Sequence, residues 1–198
     1  MNTIYRAFTS ILCCCALLTA CGNSPPHNYY LLSAAQTQPA RGESPSLGVA
    51  PIAVPEYLAR DNLVYRRDGN QLHVSDSDYW AEPLADGMTR VMALNLAGLL
   101  NSQNVRLFPW HSGRAPEYAV KVTVLSMDAD ASQATLVAEW LLYRPADNSA
   151  VARSMEQLAQ PLQEISAGTV AAAYSDLLLE LCRRVAAAIR ADSSGGDD

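Results

Sequence analysis

The sequence predicts an α/β fold: a two-layer sandwich whose mostly antiparallel or mixed sheet is covered on one face by two main helices. Three observations predict it. Runs rich in strand formers, several with period-two alternation, recur between Asn28 and Leu162. The period becomes helical twice, between Pro83 and Asn101 and again after Ser166. Turn formers separate the strand-like runs, most clearly at Asp68-Gly69.

Taken in order, Asn28 to Leu32 (NYYLL) is rich in strand formers and opens the fold. On composition, Gln36 to Ser46 is a surface loop. LGVAPIAVP is an apolar strand closed by Pro55, and NLVYRRDGNQLHVS is a hairpin around Asp68-Gly69. Asp76 and Asp78, ahead of Tyr79-Trp80, are expected to form a turn.

Leu84, Met88, Val91, Met92, Leu96 and Leu99 then follow helical spacing, with Pro83 suited to the first turn. Glu82 and Asp86 lie near the positive end of that helix. A strand at Val105 to Trp110 precedes a long hairpin. Its outgoing arm alternates Tyr118, Val120, Val122 and Val124 with Ala119, Lys121 and Thr123. Its return arm alternates Leu136, Ala138, Trp140 and Leu142 with Val137, Glu139 and Leu141. A turn at Pro145 to Asn148 leads to a strand near Ala150 to Leu162.

The last helix begins near Ser166, a suitable N-cap. Val170, Tyr174, Leu177, Leu181, Val185 and Ala188 form a stripe that would lie against the sheet. Cys182 sits beside the stripe and reads as a small buried hydrophobe, and SSGGDD as a solvated tail.

The amino end has a different character. Arg6 is its one charge, and Ala7 to Ala20 carries none. That apolar run is short of the roughly 20 residues a spanning helix needs, and it matches a secretory signal peptide. Leu18-Thr19-Ala20-Cys21 resembles the bacterial lipobox, an aliphatic residue, two small ones and cysteine. The resemblance implies a diacylglycerol on the Cys21 thiol, cleavage before Cys21 and acylation of the new amine. Two or more chains anchor stably where one binds marginally. Neither Gly22 nor Asn23 is the aspartate that favours inner-membrane retention in enterobacterial lipoproteins, so the expected location is the outer membrane, facing the periplasm.

The organisation is therefore read as a signal peptide over 1–20, a lipidated tether over 21–28, a single domain over 29–191 and a disordered tail over 192–198. The processed chain keeps 13 Lys and Arg against 20 Asp and Glu, a charge of −7 with His neutral. An acidic chain without a basic cluster is a poor ligand for nucleic acid. After processing, Cys182 is the one cysteine besides the anchored Cys21, so no internal disulfide is expected.

Catalytic signatures are thin. His27, His73 and His111 share no spacing that clusters them, and no nucleophile elbow, P-loop or dinucleotide-binding glycine run is present. Asp128, Asp130, Ser132 and Glu139 fall at calcium-loop positions, but Gln133 stands where the loop needs Gly, so they read as a polar hairpin turn. No catalytic residue, metal site or cofactor is expected.

Several stretches together resemble the PqiC-type auxiliary lipoproteins of ABC/MCE transport systems. They are YYLL after the lipobox, VAPIAVPEYLARDNLVYR, and WAEPLADGMTRVMALNLAGLL. The match runs from Tyr29 to about Leu100, and beyond Leu107 it is mainly one of layout, a hairpin with a Glu139-Trp140 strand and a closing helix. The resemblance implies a non-catalytic periplasmic subunit that docks on the tunnel of an MCE protein of the PqiB type and its inner-membrane complex. It is also compatible with a homo-oligomer, a ring of copies, although nothing in this sequence shows one. Tyr57, Arg60, Tyr79 and Trp80, near turns or strand ends, are the candidate docking residues, since aromatic and Arg side chains dominate binding hot spots. Two further classes are carried: a lipid-binding periplasmic carrier, which would need a deep apolar cavity, and an envelope hydrolase, disfavoured by the missing constellation.

Overall fold

A computed structural model of the chain describes residues 26–35, 40–110 and 113–195, with backbone alone at 67 and 68. Gly69 turns the chain with φ +47°, a conformation that glycine adopts without strain. The turn joins β3 (Asn62–Asp68) to β4 (Gln71–Trp80) in the expected antiparallel hairpin. A short strand, β1 (Asn28–Tyr30), adds to the far edge of β4 in parallel.

Asp76 and Asp78 correct the sequence expectation. They lie inside β4 instead of a turn that ends it. The polar run is absorbed as an irregularity, Ser75 to Asp78 standing opposite Leu63 alone on β3. Ser75 Oγ accepts the amides of Ser77 (3.4 Å) and Asp78 (3.0 Å) and donates to the Asp78 carboxylate at 2.8 Å. Local side-chain bonds thus satisfy backbone donors that the ladder leaves open.

The second sheet has the order β5-β2-β6-β7-β8, built from β2 (Leu47–Val49), β5 (Val105–Leu107), β6 (Tyr118–Ala129), β7 (Gln133–Arg144) and β8 (Ser149–Pro161). β2 runs parallel to both β5 and β6, while β6, β7 and β8 form an antiparallel meander. The alternation read in the long hairpin holds. Val120, Val122, Val124, Leu136, Ala138, Trp140 and Leu142 are buried, while Lys121 and Glu139 are exposed.

Two helices cover this sheet, as expected. α1 (Leu84–Leu100) packs on β2 and β5, α2 (Ala167–Gly195) packs on β6, β7 and β8, and the helices pack on each other. α1 buries Leu84, Met88, Val91, Met92 and Leu96 and ends at Asn101, whose φ of +50° is a left-handed cap that asparagine tolerates. At the start of α2, Thr169 N donates to Ser166 Oγ at 3.2 Å and Ser166 N donates to Thr169 Oγ1 at 2.9 Å. This reciprocal cap fixes the helix start where the sequence placed it.

α2 runs further than the sequence suggests. The stretch expected as tail, 192–198, is helical through Gly195, and the Asp192 carboxylate receives the Tyr118 hydroxyl at 2.6 Å and pairs with Arg144. Two interactions with the sheet explain why a polar end remains helical.

Candidate functional site

The four candidate docking residues do not share one surface. Trp80 is 6% exposed and stacks toward Tyr174, ring centroids 6.4 Å apart, so it belongs to the core. This corrects its reading as a docking residue: successive strand residues face opposite ways, and Trp80 takes the inward position next to Tyr79. Tyr57, in a short 3-10 turn over Glu56–Leu58, is half-buried. Its hydroxyl accepts the Met127 amide at 3.0 Å and lies 3.4 Å from both the Met127 carbonyl and Asp128 Oδ1. Arg60 is exposed just beyond that turn.

Around Met127 the chain gathers a cluster that the sequence reading missed. Asp128, 7% exposed, receives Arg66 at 2.7 Å, and the Tyr174 hydroxyl donates to the Met127 carbonyl at 3.3 Å. Burial raises the Tyr57 hydroxyl pKa, reinforced by the charge of Asp128, and burial likewise raises that of Tyr174. The hydrogen bond to Asp128 raises the Arg66 pKa further. All these shifts keep the phenols protonated and the guanidinium charged, which suits a structural clasp between β3, β6 and α2. Nothing in the sequence links Arg66 to Asp128 across 62 positions. The hairpin turn reading of Asp130 holds, since its Oδ1 receives the amides of Ser132 (2.7 Å) and Gln133 (3.0 Å).

Tyr79 stands on the other side of β4, among surface rings. Its ring meets His27 edge-on at 5.1 Å and Tyr29 at 5.8 Å, and its hydroxyl donates to the Asp76 carbonyl at 2.9 Å. Tyr29 is 67% exposed, so the three rings form an aromatic ledge beside the first described residues. A second open surface is the helix-free face of the large sheet, a shallow depression lined by Lys121, Thr123, Glu139, Leu141, Arg153 and Met155.

Beneath the ledge, Asp78 joins β1 to β4. Its Oδ1 receives Asn28 Nδ2 at 3.0 Å and the Tyr30 hydroxyl at 3.3 Å. The bond from Asn28, followed by that from Ser75, holds its carboxyl below the usual range. A depressed folded value means that this stabilisation is complete above the unfolded value of about 3.9 and is lost as pH falls through the folded one. In thermal melts, Asp78→Asn should start below the parent at neutral pH and lose less on acidification below about pH 4. Parallel profiles for the two chains would show that this carboxylate carries no pH-linked stability.

Among the described residues, no three His, Cys, Asp or Glu side chains group to hold a metal ion. His73 packs on Tyr65, ring centroids 4.7 Å apart. Cys182 is fully buried, and burial pushes its thiol pKa up to about 12. His111 and Cys21 lie outside the described residues, as do the signal-peptide stretch and most of the tether. No helix among the described residues is long and apolar enough to cross a membrane.

A family model for ABC-type transport auxiliary lipoprotein components matches residues 29–186. The chain belongs to that family. The PqiC-type resemblance read from its first half is thereby carried through β6, β7, β8 and most of α2. No curated protein matches the chain significantly. Among solved structures, a crystal structure of an uncharacterized protein is 20% identical with a TM-score of 0.69, covering 83% of this chain and 99% of that one. A DUF330 protein from Xanthomonas campestris is 17% identical with a TM-score of 0.67, covering 84% of this chain and 99% of that one. At such identities the likeness speaks for the fold, and the family match speaks for a transport auxiliary lipoprotein, which is not an enzyme family.

Proposed function

We propose that this auxiliary lipoprotein is a docking subunit of an ABC/MCE-type intermembrane lipid transport system, held on the outer membrane by a triacylated Cys21 and facing the periplasm. The observation that carries the reading is the family match over residues 29–186, set beside the lipobox-like Leu18-Thr19-Ala20-Cys21. An anchored domain with a filled core acts by where it is held and by what its surface meets.

The core speaks against the alternative of a lipid carrier. Tyr118, Tyr174, Met88, Met92, Leu178 and Leu181 are all fully buried in the layer between sheet and helices. A carrier would instead need apolar walls around space for an acyl chain. Two of the depressions on the described surface are lined by mixed and charged side chains, Gln160 and Asp176 in one and Arg153 and Glu139 in the other.

Crosslinking in intact envelopes, followed by recovery of this chain, should bring down an MCE-domain protein of the PqiB type. Recovery without any MCE protein would count against docking. A stoichiometric phospholipid on the purified chain in native mass spectrometry would instead favour the carrier.

A further inference from the structure

We infer that the ledge made by His27, Tyr29 and Tyr79 is a membrane-contact surface, which rests on the headgroup layer of zwitterionic phospholipid around the lipid anchor. The inference rests on the reading of Cys21 as acylated and adds to it a face of the folded domain.

Four observations carry it. First, covalent reach limits where the ledge can go. The six residues from Gly22 to His27 span at most about 20 Å when fully extended. The root of the domain therefore cannot leave the neighbourhood of the bilayer, and His27 is itself part of the ledge. Second, the ledge is apolar where polar side chains would be expected. Tyr29, at 67%, stands among the most exposed large apolar side chains described. Its neighbour Tyr30 turns inward on the opposite face of β1, so the outward aromatic is not a leftover of the core.

Third, the chemistry matches the headgroup region. Tyrosine has an apolar ring and a polar tip, and it concentrates at membrane–water interfaces for that reason. The ledge is also held ready. Tyr79 is tied through its hydroxyl to the Asp76 carbonyl at 2.9 Å, and the rings of His27 and Tyr29 pack on it. Little side-chain freedom remains to be lost on contact. Fourth, charge selects the lipid. Asp76 and Asp78 adjoin the ledge, and the processed chain carries −7, so an anionic surface would repel it. A zwitterionic one does not.

The consequence is orientation. With that attachment alone the domain would be free to turn within its tether's reach. With a second, weak contact beside that attachment, β1 and the adjoining edge of the small sheet face the membrane, and the far parts of the domain face the periplasm.

The test uses the full processed chain, reconstituted in phosphatidylcholine vesicles and carrying a nitroxide at Tyr29→Cys. The one native thiol of the processed chain besides the anchored Cys21 is Cys182, which is buried and escapes labelling. Collisions with oxygen, relative to those with a water-soluble nickel chelate, should be several-fold higher at position 29 than at a Met155→Cys label on the open face of the large sheet. Adding Tyr79→Asp should return position 29 to the aqueous ratio while the chain still floats with the vesicles. Replacing part of the lipid by phosphatidylglycerol should lower the ratio at low salt.

An aqueous label at position 29 in an acylated, vesicle-bound chain overturns the ledge and leaves the anchor standing. Protection that arises only when the MCE partner is added makes the ledge a protein-docking surface, and also overturns the inference. Mass analysis of the same preparation reads the anchor separately, and an unmodified Cys21 in a chain that fails to float overturns both.

Discussion

A Cys21→Ser chain is expected to leave the membrane fraction altogether once its signal peptide is removed. The size of the effect follows from the arithmetic of acyl chains. Each buried methylene contributes about 0.8 kcal/mol, one chain gives marginal binding, and two or more hold stably. A triacylated residue is therefore permanently attached on any cellular timescale, and its loss changes partitioning by orders of magnitude. The three side chains of the ledge cannot replace it, because surface contact of this kind is weak without the tether. Fractionation of envelopes, with the processed amino end verified by mass, reads the result. Two outcomes agree with acylation at this residue: processed chain in the periplasmic fraction, or unprocessed precursor left at the inner membrane. A processed Cys21→Ser chain that still sediments with membranes would contradict it. Release should also abolish crosslinking to the MCE protein proposed as its partner, since the domain would be diluted through the whole periplasm.

The largest effect on stability is expected from Tyr174→Ala. Tyr174 is fully buried on α2, stacks toward Trp80 at 6.4 Å and donates its hydroxyl to the Met127 carbonyl at 3.3 Å. Truncating a large buried aromatic costs about 3–5 kcal/mol, the transfer loss plus the cavity left behind. A domain of ordinary stability has roughly 5–15 kcal/mol in all. The variant should therefore unfold at much lower denaturant, with an unchanged slope. Tyr174→Phe separates packing from hydrogen bonding. It should cost about 0.5–1.5 kcal/mol, a loss softened because the Met127 carbonyl keeps the Tyr57 hydroxyl at 3.4 Å. A loss under about 1 kcal/mol for Tyr174→Ala would mean that the core collapses around the gap, and that Trp80 does not depend on this ring.

Most of the secondary structure was legible because it is written in periodicity. The long hairpin, both helices and the Asp68-Gly69 turn follow from spacing alone, and most of the apolar positions read in them are buried. Leu99 and Ala188 are only partly so, Val74 is exposed, and Ala119 and Val64 are buried on the alternate face. Three parts were not legible, each for a physical reason. The polar run at Ser75 to Asp78 looks like the end of a strand, because its hydrogen bonds to itself are invisible in the pattern. The end of α2 looks like a tail, because Asp192 finds its partners on β6 and β7. The clasp of Tyr57, Arg66, Asp128 and Tyr174 joins four separate stretches, and no local signal announces a contact at that range. Trp80 illustrates a related point. An aromatic near a strand end can face either way, and here the irregularity in β4 helps to decide which of Tyr79 and Trp80 points out. Of the candidate docking residues, Arg60 and Tyr79 reach the surface without their polar tips being drawn into the core.

The Ser33 amide donates to Ser175 Oγ at 3.1 Å, joining residues 142 positions apart, and β2 is filled in on both sides by strands more than 50 residues downstream. Closure of the fold therefore waits for the last helix to emerge, a non-local topology of the kind that folds slowly. On the proposed export and acylation of Cys21, this delay works in the chain's favour: the cysteine leads and the fastening helix comes last, so the modifying enzymes act before the domain has closed.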